Sequence, residues 1–146
     1  MAGASGSQEI LTSNGWVTLR DLYGRYVSGR QLSVAYVEPT KFNQVNYMTV
    51  RQVFNHSLCS GIRLTAEDGS TCIVAADGLI LDMAEDYPPR PTVRHPSDAK
   101  CLVGPNLESP TKYLVRRIDK REFVTINCYS VPVPNMIGKG GFVIVQ

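Results

Sequence analysis

Thiols and imidazoles are the side chains of this sequence best suited to nucleophilic or metal chemistry. The sequence holds four cysteines and two histidines: Cys59, Cys72, Cys101, Cys128, His56 and His95. The cysteine spacings match neither a zinc site nor a redox pair, and the two histidines stand far apart in the sequence. We therefore predict no metal site and no cofactor, and interpret most of the cysteines as buried thiols.

A cluster of basic side chains offers a different chemistry. It consists of Arg116, Arg117, Lys120 and Arg121. Basic residues on exposed strands of a small β domain can bind single-stranded nucleic acid. However, Asp119 and Glu122 dilute the positive charge, so we interpret the cluster as a solvated hairpin tip. Binding of single-stranded nucleic acid stays an alternative function, but we do not expect a nucleic-acid partner.

The elements that must position these side chains are organised around the stretch 62–81. Alternating apolar residues predict a hairpin in which Asp68-Gly69 forms a type I′ turn and Cys72 lies opposite Thr65. The small residues Ala75–Gly78 predict a bend, after which a buried strand resumes at Leu79. A bend of this kind between two strands often exposes a backbone group or a side chain that can take part in binding or catalysis.

The rest of the chain predicts mostly short strands. Thr18 is a suitable N-cap for a short helix that ends near Val27. We predict a proline-rich surface loop with one brief strand in the second half of the chain, then a hairpin across a polar turn. The predicted segments are strands 9–12, 16–17, 31–38 and 45–56, the loop 82–106 with strand 101–103, the hairpin 113–118 and 122–128, the turn-rich link 132–141 with a hairpin turn at Gly138–Gly141, and the terminal strand 142–146. The fold class is nearly all-β with one small helix.

Length and composition limit the kinds of protein that this chain could be. With 146 residues, 43% of them hydrophobic, the chain is expected to form one globular domain. A formal charge of +2 points to no partner. The sequence has neither a membrane span nor the features of a signal peptide, so we expect no membrane association, a cytoplasmic location and a monomer. Residues 1–7 are expected to be a flexible lead, and residues 8–146 a single domain.

Three stretches, taken in order, resemble a known family. The first runs from Gly6 through Ile10–Trp16 to Leu19–Leu22 and resembles the opening of an intein, or Hint domain. Leu64–Leu81 resembles the second intein motif, and Phe123–Gln146 resembles the last two. The resemblance covers nearly the whole chain, and its length suits a mini-intein without an endonuclease. It implies a horseshoe of short strands.

The resemblance also implies autocatalytic, single-turnover self-excision from a host protein, whose flanking segments would be the partners. In that chemistry a first-residue nucleophile attacks the preceding carbonyl, and a Thr-x-x-His segment polarises the scissile amide. In this sequence Ala4 occupies the position of the nucleophile. Ala75 and Gly78 occupy the positions of the threonine and the histidine. The N-terminal step is therefore expected to be trapped or impaired.

The C-terminal motifs are better preserved. Gln146 occupies the position of the cyclising residue, where its amide can attack its own carbonyl, and Val145 replaces the usual histidine. Cys128 lies where inteins carry an aspartate, or where one intein class carries a cysteine that replaces a missing first nucleophile. An alternative function is a splicing-inactive Hint-like domain with a structural or interaction role.

Overall fold

The structure is a computed structural model that describes residues 3–38, 41–109 and 111–145, without the side chain of Phe42. Within these ranges the chain is almost entirely β, as predicted, and one helix is present. The elements in chain order are β1 (Ala4–Ser5), β2 (Glu9–Thr12), β3 (Gly15–Thr18), α1 (Leu19–Val27), β4 (Leu32–Glu38), β5 (Lys41–Val50), β6 (Phe54–Ala66), β7 (Thr71–Ala75), β8 (Leu79–Ala84), β9 (Arg90–Arg94), β10 (Cys101–Pro105), β11 (Tyr113–Ser130), β12 (Asn135–Gly138) and β13 (Phe142–Val145).

The strands form two sheets. The first has the order β1-β7-β6-β11-β10, and β1 also pairs with β11, so that β1, β7, β6 and β11 form a closed ring. The second has the order β3-β2-β4-β12-β13-β8-β9, with β5 added beside β4. The β1 strand is thereby enclosed by the first sheet, whereas β13 and β8 lie side by side in the second.

The helix begins and ends where the sequence predicts. The Thr18 hydroxyl accepts a hydrogen bond from the Asp21 N–H at 3.1 Å, which makes Thr18 the N-cap. Leu19 and Leu22 are buried on the side that faces the core. After Val27 the backbone turns at Gly29, whose positive φ of 76° is readily adopted by glycine.

The predicted hairpin within 62–81 is present, but its turn and register differ from the prediction. Of the two turn residues, Gly69 has a positive φ of 86° and Asp68 does not, so the turn is not type I′. The Asp68 carboxylate instead accepts a hydrogen bond from the Ser70 N–H at 3.0 Å. The longer turn places Cys72 opposite Leu64 rather than opposite Thr65.

Much of the predicted loop over 82–106 is wrong, because β8 extends to Ala84 and β9 lies within it, whereas the predicted strand 101–103 is confirmed as part of β10. Asp82 is buried and ties β8 to β10, since its carboxylate accepts hydrogen bonds from the backbone N–H groups of Lys100 and Cys101. Pro91 lies in β9, which pairs with β8 and stands at the end of its sheet. An edge strand tolerates proline, so the prolines did not prevent strand formation.

The predicted hairpin across 119–121 is also wrong, because 113–130 is one strand. The strand pairs first with β10, up to Arg117 opposite Cys101, and then with β6, from Ile118 opposite Ala66. A register shift between Ile118 and Lys120 accompanies this change of partner. The polar stretch is exposed strand rather than a turn.

The structure differs from the prediction in three smaller respects. The predicted strand 45–56 is interrupted at 51–53, and the stretch 132–141 contains β12. Residues 3–7, predicted as flexible lead, belong to the fold, since Ala4 and Ser5 are buried in β1. Their burial follows from the position of β1 between two other strands.

The buried apolar side chains form one large cluster and two smaller ones, of which the second contains Ala35, Val37, Leu81, Val103, Ile137 and Val143. The largest buried side chains of the large cluster include Phe142, Ile10, Leu22 and Met136. The third cluster contains Ala75, Ile126 and Cys128, with Cys59 packed against it. No helix among the residues described is long and apolar enough to cross a membrane.

Candidate functional site at the turn between β7 and β8

The turn of residues 75–79 is the place where both ends of the described chain meet. The Gly78 N–H donates to the Ala75 carbonyl at 3.0 Å, which closes the turn between β7 and β8. At one end of this turn, the Ala75 N–H donates to the Gly3 carbonyl at 3.1 Å. At the other end, Leu79 lies opposite Val145 of β13. A segment of five residues therefore contacts both the start and the end of the chain.

The N-terminal strand is held on both sides. Ala4 lies opposite Val74 of β7 and opposite Tyr129 of β11, and its side chain is fully buried. A methyl group has no nucleophilic atom, so Ala4 itself contributes no chemistry. The Gly3 carbonyl is nevertheless fixed, because the Ala75 N–H holds its oxygen. That N–H is a donor aimed at the oxygen of the peptide bond between Gly3 and Ala4.

Cys128 is the predicted site residue that the fold brings to this peptide bond. A Cβ atom built on Gly3 would lie 3.1 Å from the Cys128 sulfur. Since a carbon–carbon bond adds about 1.5 Å, the sulfur lies within about 5 Å of the Gly3 Cα. Burial, and secondarily the neighbouring Cys59 thiol, raises the pKa of Cys128 to about 12. At neutral pH the sulfur is therefore a protonated thiol beside Gly3.

The positions of the missing threonine and histidine carry no polar side chain. Ala75 contributes its backbone N–H to the Gly3 carbonyl, as described above. Gly78 contributes its carbonyl oxygen, which lies 2.9 Å from Nδ1 of His95. Because a carbonyl oxygen only accepts, Nδ1 carries the hydrogen and donates it. An imidazole from another element therefore contacts the residue at which the motif lacks a histidine.

Sequence reasoning missed His95 because its surroundings were predicted to be loop. His95 follows β9, whose last residue, Arg94, lies opposite Ile80 of β8. The pairing of β8 with β9 thus returns the chain to the start of β8. Recognition of 79–84 and 90–94 as a strand pair would have placed His95 near Gly78. The prolines at 88, 89 and 91 instead favoured the prediction of a loop.

The C-terminal side of the site is described up to Val145. Gln146, the predicted cyclising residue, lies outside the described residues. Val145 lies opposite both Leu79 and Asn135, at the end of β13. The Asn135 side chain is buried and donates to the Val37 carbonyl at 2.8 Å, which anchors the strand beside β13.

The second histidine lies at a different place. His56 is half-buried, and its Nε2 lies 2.7 Å from the Ser130 hydroxyl oxygen. Its ring also stacks on Phe54, with 6.2 Å between ring centroids. The neighbouring Ser57 has a positive φ of 63°. The contact between His56 and Ser130 lies at the end of the ladder between β6 and β11.

Three of the four side chains of the basic cluster have an acidic side chain within 4 Å, which for Arg116 is Asp68 at 3.8 Å. Arg116 is buried, and its guanidinium donates to the Gly141 carbonyl at 2.7 Å and to the Ser70 hydroxyl at 3.3 Å. Burial lowers the pKa of this guanidinium. Arg117 lies 3.7 Å from Asp119, and Lys120 lies 3.1 Å from Glu122. Arg121 instead donates to the Ser97 carbonyl at 3.3 Å, and whether the cluster binds nucleic acid stays a prediction.

Solved structures of inteins match this architecture over nearly the whole chain. A DnaB intein from Synechocystis has 12% sequence identity and a TM-score of 0.73, with 100% of this chain and 99% of that chain covered. The transcription factor IIB Mvu mini-intein has 16% identity and a TM-score of 0.75, with 100% of both chains covered. A bacterial intein-like domain from Clostridium thermocellum has 12% identity and a TM-score of 0.67, with 100% and 99% covered.

The chain therefore has the Hint fold of the inteins. In length it corresponds to the mini-inteins, because the chain and the Mvu mini-intein cover each other completely. No protein-family model and no curated protein matches the sequence. The likeness is thus one of three-dimensional structure.

Proposed function

We propose that this chain is an intein-like self-processing domain that cleaves the peptide bond after Gln146 and is impaired at its N-terminal junction. The single observation that supports this best is the convergence of Gly3 and Val145 on the two ends of the 75–79 turn. Acyl transfer between two junctions requires both within a few ångströms of one centre. The partners in this proposal are the host-protein segments that flank the domain.

At the C-terminal junction the reaction is a cyclisation. The side-chain nitrogen of Gln146 attacks the backbone carbonyl carbon of the same residue. A carbon–nitrogen bond forms within the ring, the bond to the following residue breaks, and one proton passes from the amide to the departing nitrogen. The product is a glutarimide, whose larger ring forms more slowly than the succinimide of a terminal asparagine.

At the N-terminal junction, Cys128 is the remaining candidate nucleophile. Its sulfur would attack the Gly3 carbonyl carbon, the bond between Gly3 and Ala4 would break, and the thiol proton would end on the Ala4 nitrogen. The Ala75 N–H supports this step, because it donates to the oxygen on which negative charge develops. The raised pKa of Cys128 opposes it, since the thiolate is the reactive form. We therefore propose that this step is slow.

The test is intact-mass analysis of the chain with a short peptide that begins with serine or cysteine appended after Gln146. We expect loss of the peptide near neutral pH, and formation of an imide at position 146. Gln146→Ala is the matched control and should retain the peptide. Gln146→Asn should release it faster because its ring is smaller. Retention of the peptide over days in both the parent and Gln146→Asn would overturn the proposal.

A second candidate function is a structural or interaction domain that has lost self-processing. It is favoured by the apolar residues at the four motif positions Ala4, Ala75, Gly78 and Val145. In that case the fold would still bring the two chain ends together, but no reaction would take place there. The same assay separates the two candidates, since only the first releases the peptide.

A further inference from the structure

We propose that Ser130 and His56 form a nucleophile–base pair that takes a small acyl group from an uncharged aryl ester. The Oγ of Ser130 lies 2.7 Å from Nε2 of His56. A serine hydroxyl is a weak nucleophile by itself, and a base within hydrogen-bond reach activates it. This activity uses neither Cys128 nor either end of the chain, so it goes beyond the proposed self-processing and does not depend on it.

A β-bulge in the ladder between β6 and β11 holds the base of this pair. The bulge is marked by a register shift between Asn127 and Tyr129, across which two residues of β6, His56 and Ser57, face a single residue of β11. Ser57 has a positive φ of 63°, which is uncommon for a residue other than glycine, and its N–H donates to the Asn55 side-chain oxygen at 2.9 Å. Bulges are frequent beside active sites because they redirect a side chain, and this bulge carries the imidazole that contacts the serine.

Phe54 provides an aromatic surface beside the pair. It lies opposite Ser130 in the ladder, so the two side chains are on the same face of the sheet. Its ring also stacks on His56 with 24° between the ring planes, which orients the imidazole. Phe54 is 38% exposed, whereas Ser130 is 9% exposed. An aryl group can therefore rest on Phe54 from the solvent side, while only a small acyl group reaches the hydroxyl.

The reaction is an acyl transfer to the serine followed by hydrolysis. In the tautomer with its proton on Nδ1, His56 takes the Ser130 hydroxyl proton at Nε2 as Oγ attacks the ester carbonyl carbon. The bond from Oγ to this carbon forms, the bond to the aryl oxygen breaks, and the departing oxygen receives the proton from Nε2. Water then attacks the same carbon by the same route, which releases the carboxylic acid and restores Ser130. Because the described contacts of the pair include no donor for a developing oxyanion, the ester needs a good leaving group such as a phenolate.

The experiment treats the full chain with p-nitrophenyl acetate near neutral pH and locates the acetyl groups by peptide mass mapping. We expect Ser130 to be acetylated about 100-fold faster than the exposed serines Ser28 and Ser97, in the usual range for acid–base catalysis. Unfolding in guanidinium should abolish this difference. His56→Gln keeps a hydrogen-bonding group but takes up no proton, so it should slow acetylation of Ser130 by about 100-fold with an unchanged melting temperature. His95→Asn removes the other histidine and is the matched control, which should react at the parent rate.

The folded parent protein alone can overturn the inference. If Ser130 is acetylated no faster than the two exposed serines, its contact with His56 is only a structural hydrogen bond and the inference is wrong. It is also wrong if a folded His56→Gln protein acetylates Ser130 within about threefold of the parent rate, because His56 is then not the base. Phe54→Leu should slow the acetylation about threefold through loss of contact between two aromatic rings, and an unchanged rate would overturn the assignment to aryl esters. None of these measurements involves cleavage at either end of the chain, so this inference and the proposed function can fail separately.

Discussion

At the scale of single residues, the position and the pKa of Cys128 have opposite effects on its reactivity. Its sulfur lies against Gly3, where an acyl acceptor would be useful, yet burial and Cys59 raise its pKa to about 12. Cys72 is also buried, and burial raises its pKa well above the ordinary value. Position therefore favours nucleophilic use of Cys128, whereas protonation suppresses it.

The rate of alkylation measures how far protonation lowers the reactivity of Cys128. Because the thiolate is the form that alkylates, we expect iodoacetamide at pH 8 to modify the half-buried Cys59 before Cys128 in the folded protein. Unfolding in guanidinium should make their rates equal. Raising the pH toward 12 should accelerate modification of Cys128 as long as the fold persists. Peptide mass mapping follows each thiol, and equal native rates for both would contradict the account.

Gly3 offers a second test at this scale. Its φ is +136°, and a Cβ atom there would lie 2.5 Å from the Tyr129 carbonyl oxygen. We expect Gly3→Ala to lower the free energy of unfolding by about 2 kcal/mol through backbone strain at the residue before β1.

Gly24→Ala is the matched control for this substitution. Gly24 lies in α1, and a Cβ atom there meets nothing within 4 Å. Alanine is the better helix former, so this variant should gain up to about 1 kcal/mol. Urea denaturation measures both, and a Gly3→Ala protein as stable as the parent would show that Gly3 is not packed as described.

At the scale of elements, the local patterns predicted some parts and missed others. The α1 helix and the glycine turn before β13 were predictable, because capping by Thr18 and the run Gly138–Gly141 are local signals. The change of partner within β11 was not, since it depends on where β10 and β6 lie in space. Proline in an edge strand similarly concealed β9, and with it the position of His95.

Asp82 connects the elements that position His95. It is buried, accepts hydrogen bonds from the Lys100 and Cys101 N–H groups, and lies 3.2 Å from Arg94. We expect Asp82→Ala to lower the free energy of unfolding by about 3 kcal/mol, because three backbone N–H groups, including that of Met83, lose their buried acceptor and Arg94 loses its partner. Thermal or urea denaturation measures the loss.

Asp86→Ala is the control for Asp82→Ala. Asp86 also pairs with an arginine, Arg90, at 2.9 Å, but both side chains are exposed. Exposed ion pairs contribute little, so the change should stay below about 0.5 kcal/mol. Equal losses in the two variants would mean that Asp82 does not anchor β8 to β10.

At the scale of the whole molecule, the Hint fold explains the arrangement of the site better than any single motif does. The ring of β1, β7, β6 and β11 encloses the N-terminal strand, and the second sheet carries β13 to the same turn. Of the predicted site residues, Ala4, Ala75, Gly78 and Cys128 lie around that turn, although their side chains are mostly inert. The sequence predicted these positions as site residues from the order of its motifs, and their roles stay predictions. It did not identify His95, which only the fold brings there.

The measurement that tests the central claim most directly is a time course of intact masses for the domain placed between two different flanking segments. The account predicts release of the C-terminal segment while the N-terminal segment stays attached to the domain. Ligation of the two segments, with excision of the domain, would contradict the proposed impairment at Gly3 and Ala4. Persistence of the uncleaved precursor would contradict the proposed chemistry at Gln146.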